Sequence, residues 1–459
     1  MDLTRAHSVR ALLDTVIYPG YCIGCGACAA LDGSPLRMTL DPYGRFVAEL
    51  APGADPDAPA PPVAAVCPFS QIAANEDAIA RDRFPATAPR HDRIGCHVGA
   101  YAGYVAENAY RERGSSGGMG AWLLAALLER GLIDAAIHVQ ARPRTQGDPL
   151  LFDYRIVHSV EAIRDGAKSR YYPIQMADVL REVRRRPGRY ALVGLPCFLK
   201  AFHLVAQHDP VLRDRIRYTV GLVCGHLKSA RFADMFAWQC GIAPGCLLAI
   251  DFRKKLPGRS AREYGMEFEG FIDGEIVRLA QPRDAFYGFA WGWCLFKYNA
   301  CDFCDDVLAE TADATVGDAW LPRYIADEEG TNVLVTRTPE MQALVLEAQA
   351  QGRLVLDPVT PDEVAQSQEA GLRHRREGLA YRLYLKEQAG QLCPPKRVAP
   401  RADHLDDRTK RILELRVTLM DESHTAFAEA ARAGAFEVFV QRMEPAIGEY
   451  KKLYEQKAI

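Results

Sequence analysis

Residues 190–207 read YALVGLPCFLKAFHLVAQ, and residues 218–239 read YTVGLVCGHLKSARFADMFAWQ. In each, a short apolar strand-like run hands over to a helix-like segment, and a cysteine stands at the handover: Cys197 in the first, Cys224 in the second. If the two strands are parallel neighbours, both thiols emerge at the carboxyl edge of one sheet, where open α/β folds place their ligands. Working outward, DAAIHV (134–139), DATVGDAW (313–320) and NVLVTR (332–337) repeat the strand pattern between helix-like segments. The expectation is an α/β core from about residue 95 to 335.

The 459-residue chain is 49% apolar and 25% charged, an ordinary globular composition with room for two or three domains. A net charge of −3, with both signs intermixed, gives no footprint for nucleic acid. The basic runs at Arg181–Arg189 and Arg373–Arg376 read as solvated helix faces. The opening MDLTRAHSVRALLDTV lacks the apolar centre of a secretory leader, and no apolar run approaches the ~18 residues that span a bilayer. A cytoplasmic protein with no membrane insertion is therefore expected. In that reducing compartment thirteen cysteines suit metal or cluster ligation better than disulfides.

Cys22, Cys25 and Cys28 follow C-x2-C-x2-C, a spacing that lets three thiolates reach neighbouring irons of one cubane. Gly24, Gly26 and Ala27 are small enough for the backbone to wrap closely. Leu31 stands where a fourth local cysteine would be, so the remaining ligand is remote, and Cys67, followed by Pro68, is the candidate. Zinc would more often use two separated C-x2-C pairs or histidine partners. Cys301 and Cys304 form a further C-x2-C that alone could serve zinc, a cluster or a redox pair. Added to Cys197 and Cys224 it makes four thiolates for a second [4Fe–4S] cluster, with Cys294 the rival for one place. Cys294, Cys96, Cys240, Cys246 and Cys393 otherwise read as buried inert thiols.

Around this core, PLRMTLDPYGRFVAEL (35–50) reads as a hairpin about an Asp-Pro-Tyr-Gly turn. The Pro- and Ala-rich APGADPDAPAPPVAAV (51–66) reads as an exposed connection to Cys67. The expected division is a small N-terminal ferredoxin-like [4Fe–4S] module over 1–90, a central α/β flavin- and cluster-binding domain over 91–337, and a helical C-terminal region over 338–459. The amphipathic tail is expected to pack on its own chain, with a subunit contact as the alternative.

Gly114-Ser115-Ser116-Gly117-Gly118 leads into the helix-like AWLLAALLERG, which Gly131 closes as a left-handed cap. Glycines, hydroxyls and a helix N-terminus suit a phosphate, but a serine-capped helix accounts for the same letters without a ligand. These pieces in this order resemble the coenzyme F420 hydrogenase/dehydrogenase beta subunits. The resemblance rests on the N-terminal cysteine run with its later Cys-Pro, on Gly114–Gly118, Lys168-Ser169-Arg170-Tyr171 and Gly194-Leu195-Pro196-Cys197. It continues through Cys224-Gly225, Cys301–Asp306, Ala312–Trp320 and Gly330-Thr331-Asn332.

That resemblance implies FAD and two [4Fe–4S] clusters. It places Ser115, Ser116, Gly117, Gly118, Lys168 and Ser169 at the flavin, with Lys168 and Asp318 as the catalytic candidates. Asp305, Asp306 and Gly317 would help Asp318 shape the second cluster's surroundings. It also implies an oxidoreductase moving electrons between ferredoxin or another redox protein and a small-molecule hydride donor or acceptor. The competing readings are an electron-transfer subunit of a larger redox complex docked through its helical tail, a homo-oligomer, or a zinc-stabilised binding protein.

Overall fold

The computed structural model describes residues 7–142 and 150–455. Residues 1–6, part of the stretch inspected for a leader, lie outside the described residues, as does the last letter of the tail segment, Gln456. The elements that position the site are, in chain order, the hairpin β1 (Leu36–Leu40) and β2 (Phe46–Leu50), then β3 (Gly99–Val105), β4 (Ala135–Ala141) and β5 (Phe152–Val157). There follow β6 (Tyr190–Gly194), β7 (Ile216–Leu222), β8 (Leu247–Lys254), β9 (Gly265–Ile272), β10 (Glu275–Pro282), β11 (Ala314–Asp318), β12 (Asn332–Thr336) and β13 (Leu354–Pro358).

Eight strands form one mixed sheet in the order β13-β3-β12-β11-β7-β6-β4-β5. Its centre is parallel: β11 pairs with β7, β7 with β6, and β6 with β4. The parallel pairing expected of β6 and β7 is present, with Val193 opposite Val220 and Gly194 opposite Gly221. All five residues of β6 are buried, as a strand covered on both faces requires. β8, β9 and β10 form a separate antiparallel sheet.

Among the helices, those that bear on the site and the tail are, in chain order, α1 (Ala27–Ala30), α2 (Glu76–Arg83), α3 (Met119–Glu129), α4 (Pro196–His208), α5 (Arg231–Gln239), α6 (Glu369–Arg375), α7 (Asp407–Ala433) and α8 (Phe436–Glu455). Helix α3 covers one face of the large sheet, its Trp122, Leu123 and Leu127 joining Val220, Val316 and Leu334. Helix α4 and the N-terminal module share the core on the other face, where Phe198 and Phe202 meet Leu192, Ile23 and Val66. Proline is favoured at the first position of a helix, and Pro196 takes it in α4, so the chain turns sharply after β6.

The hairpin forms as expected, with Leu40 paired to Phe46 across the Asp41–Gly44 turn. The Pro- and Ala-rich connection departs from the expectation. Its first part is exposed, but Val63, Ala64 and Val66 are buried, because the chain must enter the core to deliver Cys67. The C-terminal region is mostly helical but also contributes β13, which closes the sheet edge antiparallel to β3. The run Arg181–Arg189 is not a purely solvated face: Arg181 and Arg184 donate to the carbonyls of Ala29 (2.5 Å) and Ala30 (3.0 Å) at the end of α1. Among the described residues no helix is long and apolar enough to cross a membrane.

The tail packs on its own chain. Phe439 of α8 is fully buried among Phe296, Phe427 and Phe436. Phe439→Ala should therefore cost about 3–5 kcal/mol in chemical denaturation of the monomeric chain. A change confined to oligomeric state would instead place that ring at a subunit contact.

Candidate functional site: two thiol-lined cavities and a glycine-serine loop

The sheet determines where the first group of thiols lies. β6, β7 and β11 end on the same edge, so Cys197 follows one strand and Cys224 another, while the turn Asn299–Phe303 brings Cys301 and Cys304 to them. These four thiols line one cavity with Ile23, Phe69, Leu195 and Leu227. Cys22, Cys25, Cys28 and Cys67 line a second with Val16, Met38 and Ala48. Ile23 borders both. The two groups are close enough for Cys25 to contribute to the field at Cys197.

The N-terminal loop is wedged tightly. A side chain on Gly24 would meet Phe46 of β2, and one on Gly26 would meet Gln175 and Ala177. Both glycines have positive φ, 74° and 83°, which lets the three thiols turn inward from one short loop. Backbone N–H groups are aimed at sulfur: those of Gly24 and Ala48 at Cys22, Phe69 at Cys67, and Leu227 at Cys301 (3.3 Å). Such bonds favour the thiolate. Against them, burial pushes Cys67 and Cys224 up to about 12 and Cys301 up to about 11, with the neighbouring thiols adding to the rise. Among the described residues no three His, Cys, Asp or Glu side chains converge to hold a single metal ion. The thiols of each set line the wall of a cavity.

Cys294 does not join either set; its Sγ lies 3.6 Å from the carbonyl of Gly292. Cys96 is buried, as expected, whereas Cys240, Cys246 and Cys393 are half-buried. Cys393 lies 3.8 Å from the hydroxyl of Tyr21.

Arg375 lines the cavity of Cys197 and Cys224 and is 1% exposed, so the reading of Arg373–Arg376 as a solvated face is corrected at this position. Leu372, one turn earlier on α6, is also buried, and the two share the inward face. Nothing in the letters Arg-His-Arg-Arg separates the inward arginine from its neighbours; only that spacing from Leu372 was a signal.

The acids near Cys304 serve the framework. Asp305 accepts from the N–H of Arg397 (2.9 Å), and Asp306 accepts from the N–H groups of Leu308 and Glu310 (both 2.9 Å). Burial alone would raise Asp305, but Lys396, Arg397 and Lys200 hold it below the usual carboxylate range. Gly317 gives room to Val223, whose side chain a Cβ there would meet.

The glycine-serine loop lies at the same sheet edge, between β3 and α3. Its helix is not serine-capped: α3 starts after Gly118, with φ 83°, and Asn332 Oδ1 of β12 accepts from the N–H of Met119 at 3.1 Å. Gly131 closes that helix with φ 64°, as expected. Ser116 is buried and its hydroxyl donates to the carbonyl of Thr331 (3.1 Å), which ties the loop to the start of β12. Gly117 fits against Gly103 and Asn332, where a Cβ would come within 2.7 and 2.8 Å.

What the loop offers a ligand is backbone and charge. Among the described residues nothing accepts from the N–H groups of Ser115, Ser116, Gly117 or Gly118, which leaves four backbone donors for an anion. Ser115 Oγ accepts from the N–H of Ser169 (2.9 Å), tying the loop to Lys168-Ser169. Lys168 pairs with Asp251 (2.9 Å), and Asp318 with Arg253 (3.0 Å), whose guanidinium also reaches the carbonyl of Ser115 (3.4 Å). Lys255 Nζ donates to the carbonyls of Arg111 (2.5 Å) and Ser116 (3.3 Å). Arg253 and Lys255 carried no sequence signal, because β8 has no motif around them. The unbonded amides and the ring of cations fit a diphosphate.

An α/β sheet with thiols gathered at its carboxyl edge, beside an anion-suited loop, has the build of an oxidoreductase subunit. The chain belongs to the coenzyme F420 hydrogenase/dehydrogenase beta subunit family: residues 100–181 match the family's N-terminal profile and 188–362 its C-terminal profile, together more than half of the chain. No curated protein matches. Among solved structures, a chain of the F420-reducing [NiFe] hydrogenase complex from Methanosarcina barkeri aligns at 18% identity and a TM-score of 0.49, covering 67% of this chain and 99% of that one. The Cys22–Cys67 set and Arg375 lie outside both family profiles.

Lys255 gives the loop a pH signature. Burial, then repulsion from Lys168 and Arg111, brings its pKa down to about 8, so its charge is present below that pH and lost as pH rises through it. ADP, whose diphosphate is fully ionised above about pH 7, should bind the full chain more weakly as pH climbs from about 7 to 9. Lys255→Met should lower affinity at the acid end and flatten the curve in titration calorimetry. A flat curve in the unaltered chain would remove Lys255 from the anion site.

Proposed function

We propose that the chain is an iron–sulfur flavoprotein oxidoreductase. Cys22, Cys25, Cys28 and Cys67 would hold one [4Fe–4S] cluster, and Cys197, Cys224, Cys301 and Cys304 a second. FAD would lie with its diphosphate at Ser115–Gly118, near Lys168 and Ser169. The observation that carries the reading is that two four-thiol cavities share the wall residue Ile23. Four sulfurs set around a volume suit a polynuclear cluster, whose irons stand between them, better than a single zinc. Clusters supply one-electron transfer and a flavin couples it to two-electron hydride chemistry.

The chain's own residues position and tune these groups. Thiolates bind iron, backbone N–H groups at Cys22, Cys67 and Cys301 stabilise sulfur charge, and Ile23, Phe69 and Leu227 keep water from the cavities. Lys168 and Asp318 are held in ion pairs with Asp251 and Arg253 at the edge of the loop. There they can hold charge, and orient a substrate, beside a flavin. The partners in this reading are ferredoxin or another redox protein in the cytoplasm and a small-molecule hydride donor or acceptor. The domain division at about 90 and 337 belongs to the same reading. Docking through the tail is disfavoured by the burial of Phe439, Met443 and Ile447 against the chain itself.

Anaerobically purified chain should be brown, carry about eight irons, and release one yellow flavin on denaturation. Cys25→Ala and Cys301→Ala should each remove about four irons, and Cys294→Ala none. A colourless protein with stoichiometric zinc would refute the proposal.

A further inference from the structure

Arg375 differs from the other buried arginines of the C-terminal region. Arg382 faces Asp302 (3.4 Å) and Arg397 forks onto Glu310 (2.7 and 2.9 Å), so each has a carboxylate to balance it. Among the described residues no Asp or Glu oxygen lies within 4.0 Å of the Arg375 guanidinium. Its Nη2 donates to the carbonyls of Cys224 (3.2 Å) and Gly225 (2.7 Å) and stands 3.8 Å from Cys224 Sγ. Its Nε is buried without a partner. A desolvated guanidinium left without a carboxylate is costly unless other negative charge faces it, and what faces it is the cavity lined by Cys197, Cys224, Cys301 and Cys304.

We propose that Arg375 is a potential-setting residue: its fixed positive charge raises the reduction potential of the cluster held by Cys197, Cys224, Cys301 and Cys304. The inference rests on the reading of that cavity as a cluster site. Reduction adds one negative charge to the cluster and its four thiolates. A cation a few ångströms away in a dry, low-dielectric cavity stabilises the reduced form more than the oxidised one. Among the described residues no guanidinium lines the cavity of the Cys22–Cys67 set; Arg45 contributes to the field at Cys22, and Lys200 and Lys396 to that at Cys67, whereas Arg375, a residue of α6 beyond the matched family profiles, acts on Cys304, Cys224, Cys301 and Cys197.

Full-length chain, purified anaerobically with its iron, is titrated potentiometrically with EPR detection as wild type, Arg375→Gln and Arg375→Lys. Glutamine can still donate to the two carbonyls but carries no charge; lysine keeps the charge and loses the fork. Two midpoints are expected in the wild type, the one surviving in Cys25→Ala belonging to the second set. Arg375→Gln should move that midpoint to more negative potential and leave the other in place, while Arg375→Lys leaves both near wild type. Unchanged midpoints in Arg375→Gln at full iron content would overturn the inference, as would an equal displacement in Arg375→Lys. Should Arg375→Gln lose iron, Arg375→Lys decides: iron kept at the wild-type midpoint supports a charge effect, and iron lost or the midpoint moved overturns it. Failure of the cluster reading itself shows earlier and separately, as a wild type with about four irons and a single midpoint that Cys25→Ala abolishes.

Discussion

Four thiols buried around one cavity repel each other as soon as they ionise, and burial penalises each thiolate besides. Both effects act at Cys197, which its own desolvation, and then Cys304, Cys224 and Cys301, hold well above the ordinary thiol range. An arrangement so opposed by electrostatics needs a rigid frame and a source of positive charge. The frame is the parallel pair β6 and β7, which fixes Cys197 and Cys224 at adjacent strand ends. The positive charge comes from Arg375 and, in the proposed holoprotein, from iron. Apolar walls such as Leu195 and Leu227 exclude the water that would otherwise screen the repulsion.

The same sheet edge organises the second chemistry. β3 leads into the loop 114–118, β12 supplies Asn332 to cap α3, and β11 ends in Asp318. Trp291 connects the two regions: it packs on Gly225, next to Cys224, stacks on His226 at 4.2 Å, and lies 5.0 Å from the ring of Tyr171. Tyr171 in turn lies within 3.4 Å of Arg253, which reaches Ser115. A line of packed side chains thus runs from the thiol cavity to the anion-suited loop.

Much of this was legible in the letters because strand-to-helix handovers and cysteine spacings are local. The runs 190–197 and 218–224 announced both strands and both thiols, and C-x2-C-x2-C announced the first loop. Long-range choices left no such mark. Asn332, read as the start of a strand and as the end of the Gly330-Thr331-Asn332 match, caps a helix more than two hundred residues away. Ser116, which by composition belongs to a phosphate loop, spends its hydroxyl on Thr331. β13 escaped notice as a five-residue edge strand, β3 because its Gly- and Ala-rich GAYAGYV carries a weak strand signature although it pairs on both sides, and Arg375 because burial of one arginine among three is decided by the cavity it meets.

The C-terminal segment explains how the two cavities keep a fixed relation although Cys22–Cys28 and Cys301–Cys304 are remote in sequence. The hydroxyl of Tyr21, next to Cys22, donates to the carbonyl of Leu392 at 2.9 Å, and Gln71, just past Cys67, donates to that of Cys393 at 2.8 Å. A few residues on, Lys396 sits over the ring of Phe69 at 4.7 Å, and Arg397 joins Glu310 and Asp305, beyond Cys304, while facing Glu76 at 3.6 Å on α2. One short stretch therefore holds the N-terminal loop with one hand and the sheet-edge loop with the other. Because Arg397 and its carboxylates are largely buried, loss of any single partner leaves a desolvated charge behind, which makes the clasp cooperative. In the proposed holoprotein, where electrons would pass between two centres at a rate that depends steeply on their separation, a clasp that fails only as a unit would keep that separation constant.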